Sequence, residues 1–193
     1  PSDKRREVIL TKYYTTAGTW IDRNTTTWDG FIINKFPVET ATAFQGTDIP
    51  LARWADVLLM YAEAEVRKNN AAPSADAIAA VNEVRKRAGL NPIGAYSEEA
   101  LRNERRWELA CEGTRWNDLR RWHIAAAALE KQNGVAIYYC GQPDTNTPHN
   151  GGYTARYNAT AGFQKMPETQ VALGTVKQNE GWTGADSEYQ GWK

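Results

Sequence analysis

Two stretches near the middle of the chain place apolar residues with a helical period. The first runs from Pro50 to about Asn69, and Pro50 is tolerated in a first helical turn. Arg53, Asp56, Glu63 and Arg67 fall on one narrow polar strip, and the rest is mainly Leu, Val, Met, Trp, Tyr and Ala. A helix this apolar around its circumference is expected to be packed on several sides. The second begins at Pro73-Ser74, with Ser74 as N-cap and Asp76 in the first turn. Ala77, Ile78, Val81, Val84 and Ala88 form its apolar face; Gly89 caps its end and Pro92 prevents continuation. With the Asn69-Asn70 break between them, the two predict an antiparallel pair. Tetratricopeptide arrays stack such pairs, although no period of about 34 residues repeats here. One pair cannot cover its own outer faces.

A third helix is predicted after Ser97, with Glu98 and Glu99 in its first turn, and helical character resumes from Trp116 to about Gln132. Val8–Tyr14, Phe31–Phe36 and Val135–Tyr139 read as short strands, with Asp29-Gly30 as a hairpin signal before the second. Residues 141–162 are rich in Gly, Asn, Thr and Pro and read as loop. The fold expected is mainly α: tetratricopeptide-like helical pairs with long loops and a few short strands. One domain of 193 residues divides into a loop and strand region (1–48), a helical region (49–132) and a loop-rich C-terminal region (133–193).

The third helix leads into Glu104–Trp122, a stretch dense in charge that also carries Trp107, Trp116 and Trp122. Wound as one helix, Leu101, Arg105, Glu108, Glu112, Arg115, Leu119 and Trp122 share a stripe. A solvated charged face would not share its stripe with Leu and Trp, so buried, paired charges are expected. Glu108 and Glu112 repel at i,i+4, and Arg105 and Arg115 are placed to bridge them. Gly113 is the expected point of any break. Two carboxylates on one face also suit a glycosidase. Flanking arginines favour ionised carboxylates, however, whereas a general acid needs a raised pKa. The favoured reading is a structural ion-pair cluster.

This stretch resembles the hallmark motif of SusD/RagB-type proteins, the surface glycan-binding lipoproteins of Bacteroidetes-type bacteria. Cys111 stands where that family usually has Phe. Two further family signatures precede it: Leu51–Ala64, with Trp54 where Tyr is commoner, and Ala80–Gly89. Gln164–Gln170 and the stretch ending Gln178-Asn179-Glu180-Gly181-Trp182 resemble the family's closing segment, a proline-containing strand followed by an Asn-rich run. Family members are longer and begin with a lipoprotein signal. The resemblance therefore implies a C-terminal part of a larger protein, with neighbouring helical pairs and an N-terminal lipid anchor outside this chain. It also implies non-catalytic glycan binding at the outer-membrane surface and a TonB-dependent (SusC-like) transporter as partner.

Composition narrows the alternatives. Lys plus Arg and Asp plus Glu balance at 23 each, which argues against a nucleic-acid footprint or a polybasic membrane patch. No apolar run approaches the roughly 18 residues of a membrane span. His123 and His149 lack partners at zinc-ligand spacing, and the order Asp144-Thr145-Asn146 lacks the final Glu of a calcium loop, so no metal or other cofactor is expected. Two cysteines, Cys111 and Cys140, do not define a compartment. They could pair in an exported protein; Cys111 on a helix also fits a small buried apolar residue, the reading favoured here.

Sugar recognition needs flat aromatic faces and side-chain amides or carboxylates. Trp20, Asn24, Trp28 and Asp29, in the segment from Tyr13 to Asp29, supply both and are the candidate glycan-binding residues. In a Thr- and Asn-rich loop these tryptophans have few apolar neighbours in sequence, unlike Trp54 and Trp116 on helices. The rival readings are a helical-repeat scaffold that binds only protein and a hydrolase using Glu108 and Glu112.

Overall fold

The computed structural model describes residues 3–15, 17–24, 32–37, 50–68, 73–132, 138–139, 142–143 and 153–182. Its elements are β1 (Ile9–Leu10), β2 (Lys12–Tyr14), β3 (Trp20–Asp22), β4 (Ile32–Ile33), α1 (Trp54–Lys68), α2 (Ala75–Arg87), α3 (Glu98–Glu108), α4 (Arg115–Arg121), α5 (Ala125–Glu130), β5 (Tyr138–Tyr139), β6 (Gln142–Pro143), α6 (Tyr153–Thr160) and α7 (Glu168–Ala172). The described residues fall into two compact units, one up to Arg115 and one from Trp116 onward.

The first unit is built on the predicted helical pair. Ala55, Leu59, Ala62 and Val66 of α1 meet Ala77, Ala80, Val81 and Val84 of α2, and Leu101 of α3 closes the cluster. Four alanines among these residues let the helices approach closely. Trp54, at the start of α1, donates its indole N–H to Glu83 near the end of α2 (3.0 Å), so the pair is antiparallel. Ser74 accepts from the Ala77 N–H (3.1 Å) as the predicted N-cap. Gly89, at φ 75°, ends α2 in a Schellman turn: its own N–H reaches the Lys86 carbonyl and the Leu90 N–H reaches Arg85. The Asn82 side chain then pins the following loop through both the N–H and the C=O of Ile93 (2.7 and 3.0 Å).

Part of the apolar circumference of α1 stays in water. Leu51, Trp54, Val57, Met60 and Tyr61 are exposed, Trp54 at 66%. α1 packs against both α2 and α3, as expected of a helix apolar on several sides, while Trp54 is exposed apart from its indole bond to Glu83.

The long third helix is also corrected. α3 stops at Glu108, five residues before Gly113, and Cys111 adopts φ 66°. Cys111 is exposed and free rather than a buried helical residue; Cys140 lies outside the described residues. From Trp116 the predicted helix is two, α4 and α5, separated by His123 at φ 56° in another Schellman turn.

The strands are shorter than expected. Val8–Tyr14 breaks at Thr11 into β1, which pairs with β4, and β2, which pairs with β3; both pairings are antiparallel. Asp29-Gly30 and Asp144–Asn146 lie outside the described residues.

In the second unit, α5 packs against α6. α6 forms inside the stretch read as loop, with Arg156 and Thr160 buried. The predicted closing strand does not form either: the chain through Gln164–Pro167 is irregular and leads into α7. Side-chain amides do the work of a strand partner. Gln178 accepts from the Met166 N–H (2.8 Å) and donates to its carbonyl (3.0 Å), and Asn179 donates to the Gln164 carbonyl (2.6 Å). The Arg156 guanidinium stacks 3.1 Å above the Trp182 ring, and that indole donates to the Phe163 carbonyl.

Candidate functional site

Two groups of residues stand out, a buried charge cluster and an exposed aromatic pair, both in the first unit.

The cluster is centred on α3. Helical spacing puts Glu104 and Glu108 on the inner face with Leu101, and both are almost fully buried (0% and 2% exposed). Each is met by arginines from other elements. Glu104 accepts from Arg5 (2.7 Å) and Arg85 (2.9 Å). Glu108 accepts from Arg87 (2.5 Å), Arg53 (3.0 Å) and Arg5 (3.3 Å). Arg5 is aligned for this by Asp3, which binds its guanidinium through both carboxylate oxygens (2.9 and 2.8 Å). Glu112 receives a two-pronged Arg53 contact (2.8 and 2.6 Å). Arg105 donates to Asp56 of α1 (2.8 Å).

The buried network expected from the motif is present, but its geometry differs. The bridging cations come from Arg5, Arg53, Arg85 and Arg87 rather than from within the motif, and Arg115 sits in a separate helix, α4. Glu104, not singled out by the stripe, is the most deeply buried carboxylate among the described residues. It lies i,i+4 from Glu108, and that spacing was its signal.

Lys35 completes the cluster from beyond β4. Its ammonium donates to the Glu108 carbonyl (2.7 Å), to the Ala110 carbonyl (2.9 Å) and pairs with Glu112 (2.5 Å). Arg53 also reaches the Glu108 carbonyl (3.1 Å). Cations here satisfy carbonyls that a continuing helix would have used, and they complement the negative end of the helix dipole. These contacts cap α3 at its end. Burial pushes the Glu112 carboxyl up, but hydrogen bonds from Arg53 and Lys35 outweigh it, and the group titrates below the ordinary range. That is the reverse of what a general acid needs, so Glu112 serves as a cation anchor.

The aromatic pair lies on the β2–β3 hairpin. Tyr14 and Trp20 face each other across the strands, with ring centroids 4.7 Å apart and planes tilted by 53°. They are 70% and 50% exposed. The turn between them is closed by the Thr15 N–H on the Thr19 carbonyl (2.8 Å) and the Thr19 N–H on the Thr15 hydroxyl (3.0 Å). Lys12 and Asp22 pair at its base (2.9 Å). Trp20 is thus on a strand and exposed. Asn24 follows β3, also exposed, its N–H bound to Asp22 (3.0 Å). Trp28 and Asp29 lie outside the described residues. Sequence reasoning missed Tyr14 because only the strand register brings it beside Trp20.

Antiparallel helices held by an α3 charge cluster, with short strand ribbons and long irregular connections, define a helical-hairpin protein with an appended ribbon. The SusD family model matches residues 8–182, and the chain belongs to the SusD family. It is 32% identical over 117 residues to SusD-like protein P38 of Formosa agariphila, covering 53% of this chain and 23% of that protein. It also resembles surface glycan-binding protein A of Bacteroides thetaiotaomicron. The structure of that protein with laminarihexaose superposes with a TM-score of 0.57 at 24% identity, covering 92% of this chain and 38% of that one. Another structure of the same protein gives a TM-score of 0.56. The chain thus spans well under half the length of these relatives.

Proposed function

We propose that this chain is part of a protein that binds oligo- or polysaccharide without catalysis at the bacterial outer-membrane surface and delivers it to a TonB-dependent, SusC-like transporter. In this reading the full-length protein is held to the membrane by a lipid anchor. Membership of the SusD family supports it, as do the glycan-binding protein with a similar fold and that protein's complex with laminarihexaose. The observation that carries it is the Tyr14–Trp20 pair: two aromatic rings held half or more in solvent on a hairpin, where a sugar ring's C–H face can stack. In the proposed contact set Trp28 adds a further aromatic face, and Asn24 and Asp29 supply amide and carboxylate partners for hydroxyls.

The test is isothermal titration of the full-length protein against plant, host and storage glycans. Trp20→Ala should weaken binding by roughly 1–3 kcal/mol, by analogy with base stacking on aromatic platforms, and leave the melting temperature nearly unchanged. Uniform silence of the parent across the panel would favour a protein-binding scaffold. New reducing ends after incubation would favour a hydrolase.

A further inference from the structure

We propose that Lys35 and Arg5 are positioning residues for the aromatic hairpin, stapling both strands of its supporting ribbon to one residue, Glu108. This rests on the glycan-binding reading of Tyr14 and Trp20.

β1 pairs with β4 and runs through Thr11 directly into β2, so the aromatic hairpin extends the β1–β4 ribbon. The Arg23 N–H on the Thr11 carbonyl (2.9 Å) ties the hairpin's second strand to that junction. No residue of these four strands is fully buried, and Ile9, Ile32 and Ile33 are all exposed. Tyr13 and Ile21, on the hairpin face away from the aromatic pair, are half-buried, and a two-stranded ribbon is marginal by itself.

Two described cations that flank it converge on the end of α3. Arg5, which precedes β1, donates to the Glu108 carboxylate, and Lys35, which follows β4, donates to the Glu108 carbonyl. The backbone adds the Lys4 N–H on the Ala88 carbonyl at the end of α2 (3.0 Å). Both strands therefore leave the helical core from a single point. A stacking platform that must be ordered during binding loses affinity to that ordering, so the staple presets the platform.

The experiment uses the full-length protein with Lys35→Met, which keeps the aliphatic stem and removes the donors, and Lys35→Arg, which restores charge and donors. Hydrogen exchange followed by mass spectrometry gives a readout that needs no ligand. Amides of residues 8–24 and 32–34 should exchange about tenfold faster or more in Lys35→Met, with α1 and α2 unchanged, and Lys35→Arg should recover most of the protection. Affinity for laminarihexaose and for the tightest glycan of the panel, measured well below the melting temperature, should fall about tenfold in Lys35→Met and recover in Lys35→Arg. A helix cap with only a structural role would lower the melting temperature and move neither readout. Unchanged exchange in the ribbon overturns the proposal. So does unchanged affinity in Lys35→Met when Trp20→Ala has lost it. Parental affinity in Trp20→Ala would instead refute the glycan reading of the hairpin, and the exchange result would still decide the staple.

Discussion

Glu108 shows how much one side chain can hold. Its carboxylate takes hydrogen bonds from Arg5, Arg53 and Arg87 while itself 1% exposed. Replacing it with Ala leaves Arg5 and Arg53, both largely out of water, without that acceptor. The expected loss is about 3–5 kcal/mol, seen as a much earlier melt. The outer partner is different: the Arg87 side chain is 59% exposed, so Arg87→Ala should cost about 1 kcal/mol or less. Equal melting temperatures for the two variants would contradict this ranking. Acid should act on the same cluster. Glu112 and Asp3 titrate below their ordinary values of 4.5 and 3.8. Groups shifted down stabilise the fold above those values, and that stability is lost as pH falls through the lowered ones. The melting temperature should therefore drop as pH is lowered below about 4.5, and Glu112→Gln should flatten part of that drop. The cluster was legible in the sequence as charges sharing a stripe with Leu101. Its partners were not, because helical spacing reports only neighbours within a turn or two, whereas Arg53 and Arg5 lie 55 and 103 residues away.

At the scale of elements, local capping was readable because its chemistry is local. Ser74, Ser97 and Gly89 each sit at the predicted helix end and make the expected contacts. Ser74→Ala should cost about 1 kcal/mol in a thermal or urea melt. The end of α3 was not readable, since the cations that cap it, Lys35 and Arg53, come from distant segments. Nor was α6, whose sequence Tyr153–Thr160 has no apolar stripe and turns Arg156 and Thr160 inward. Arg156 is fixed there by Trp182 and by the Gly181 carbonyl (3.3 Å). Gly181 itself is at φ 78°, and a Cβ there would strike the Ala159 carbonyl. Gly181→Ala should thus destabilise the second unit by more than the roughly 1–2 kcal/mol of a left-handed backbone alone. Circular dichroism of the variant checks this, and a parental melt would contradict it.

For the whole molecule, the outer face of α1 dominates. Leu51, Trp54, Val57, Met60 and Tyr61 form an apolar face in water, the kind of surface that single soluble domains seldom leave uncovered. The 193 residues expressed alone should bind a hydrophobic dye or self-associate, and Met60→Lys with Val57→Glu should relieve both. A monodisperse, dye-silent parent on size exclusion would contradict this. The sequence signalled the apolar circumference of this helix, but composition cannot say which faces a chain covers by itself. The Arg5–Glu108 contact also sets a timetable for making the protein. A ribosome adding about 5–20 residues per second reaches Glu108 roughly 5–20 s after Arg5. For most of that interval Arg5, Arg53, Arg85 and Arg87 are made in turn before Glu104 and Glu108 exist to receive them. The ribbon therefore cannot be fastened as it is made. Its docking waits on the end of α3, so any chaperone that attends the nascent chain meets the aromatic hairpin loose before it ever meets it fixed.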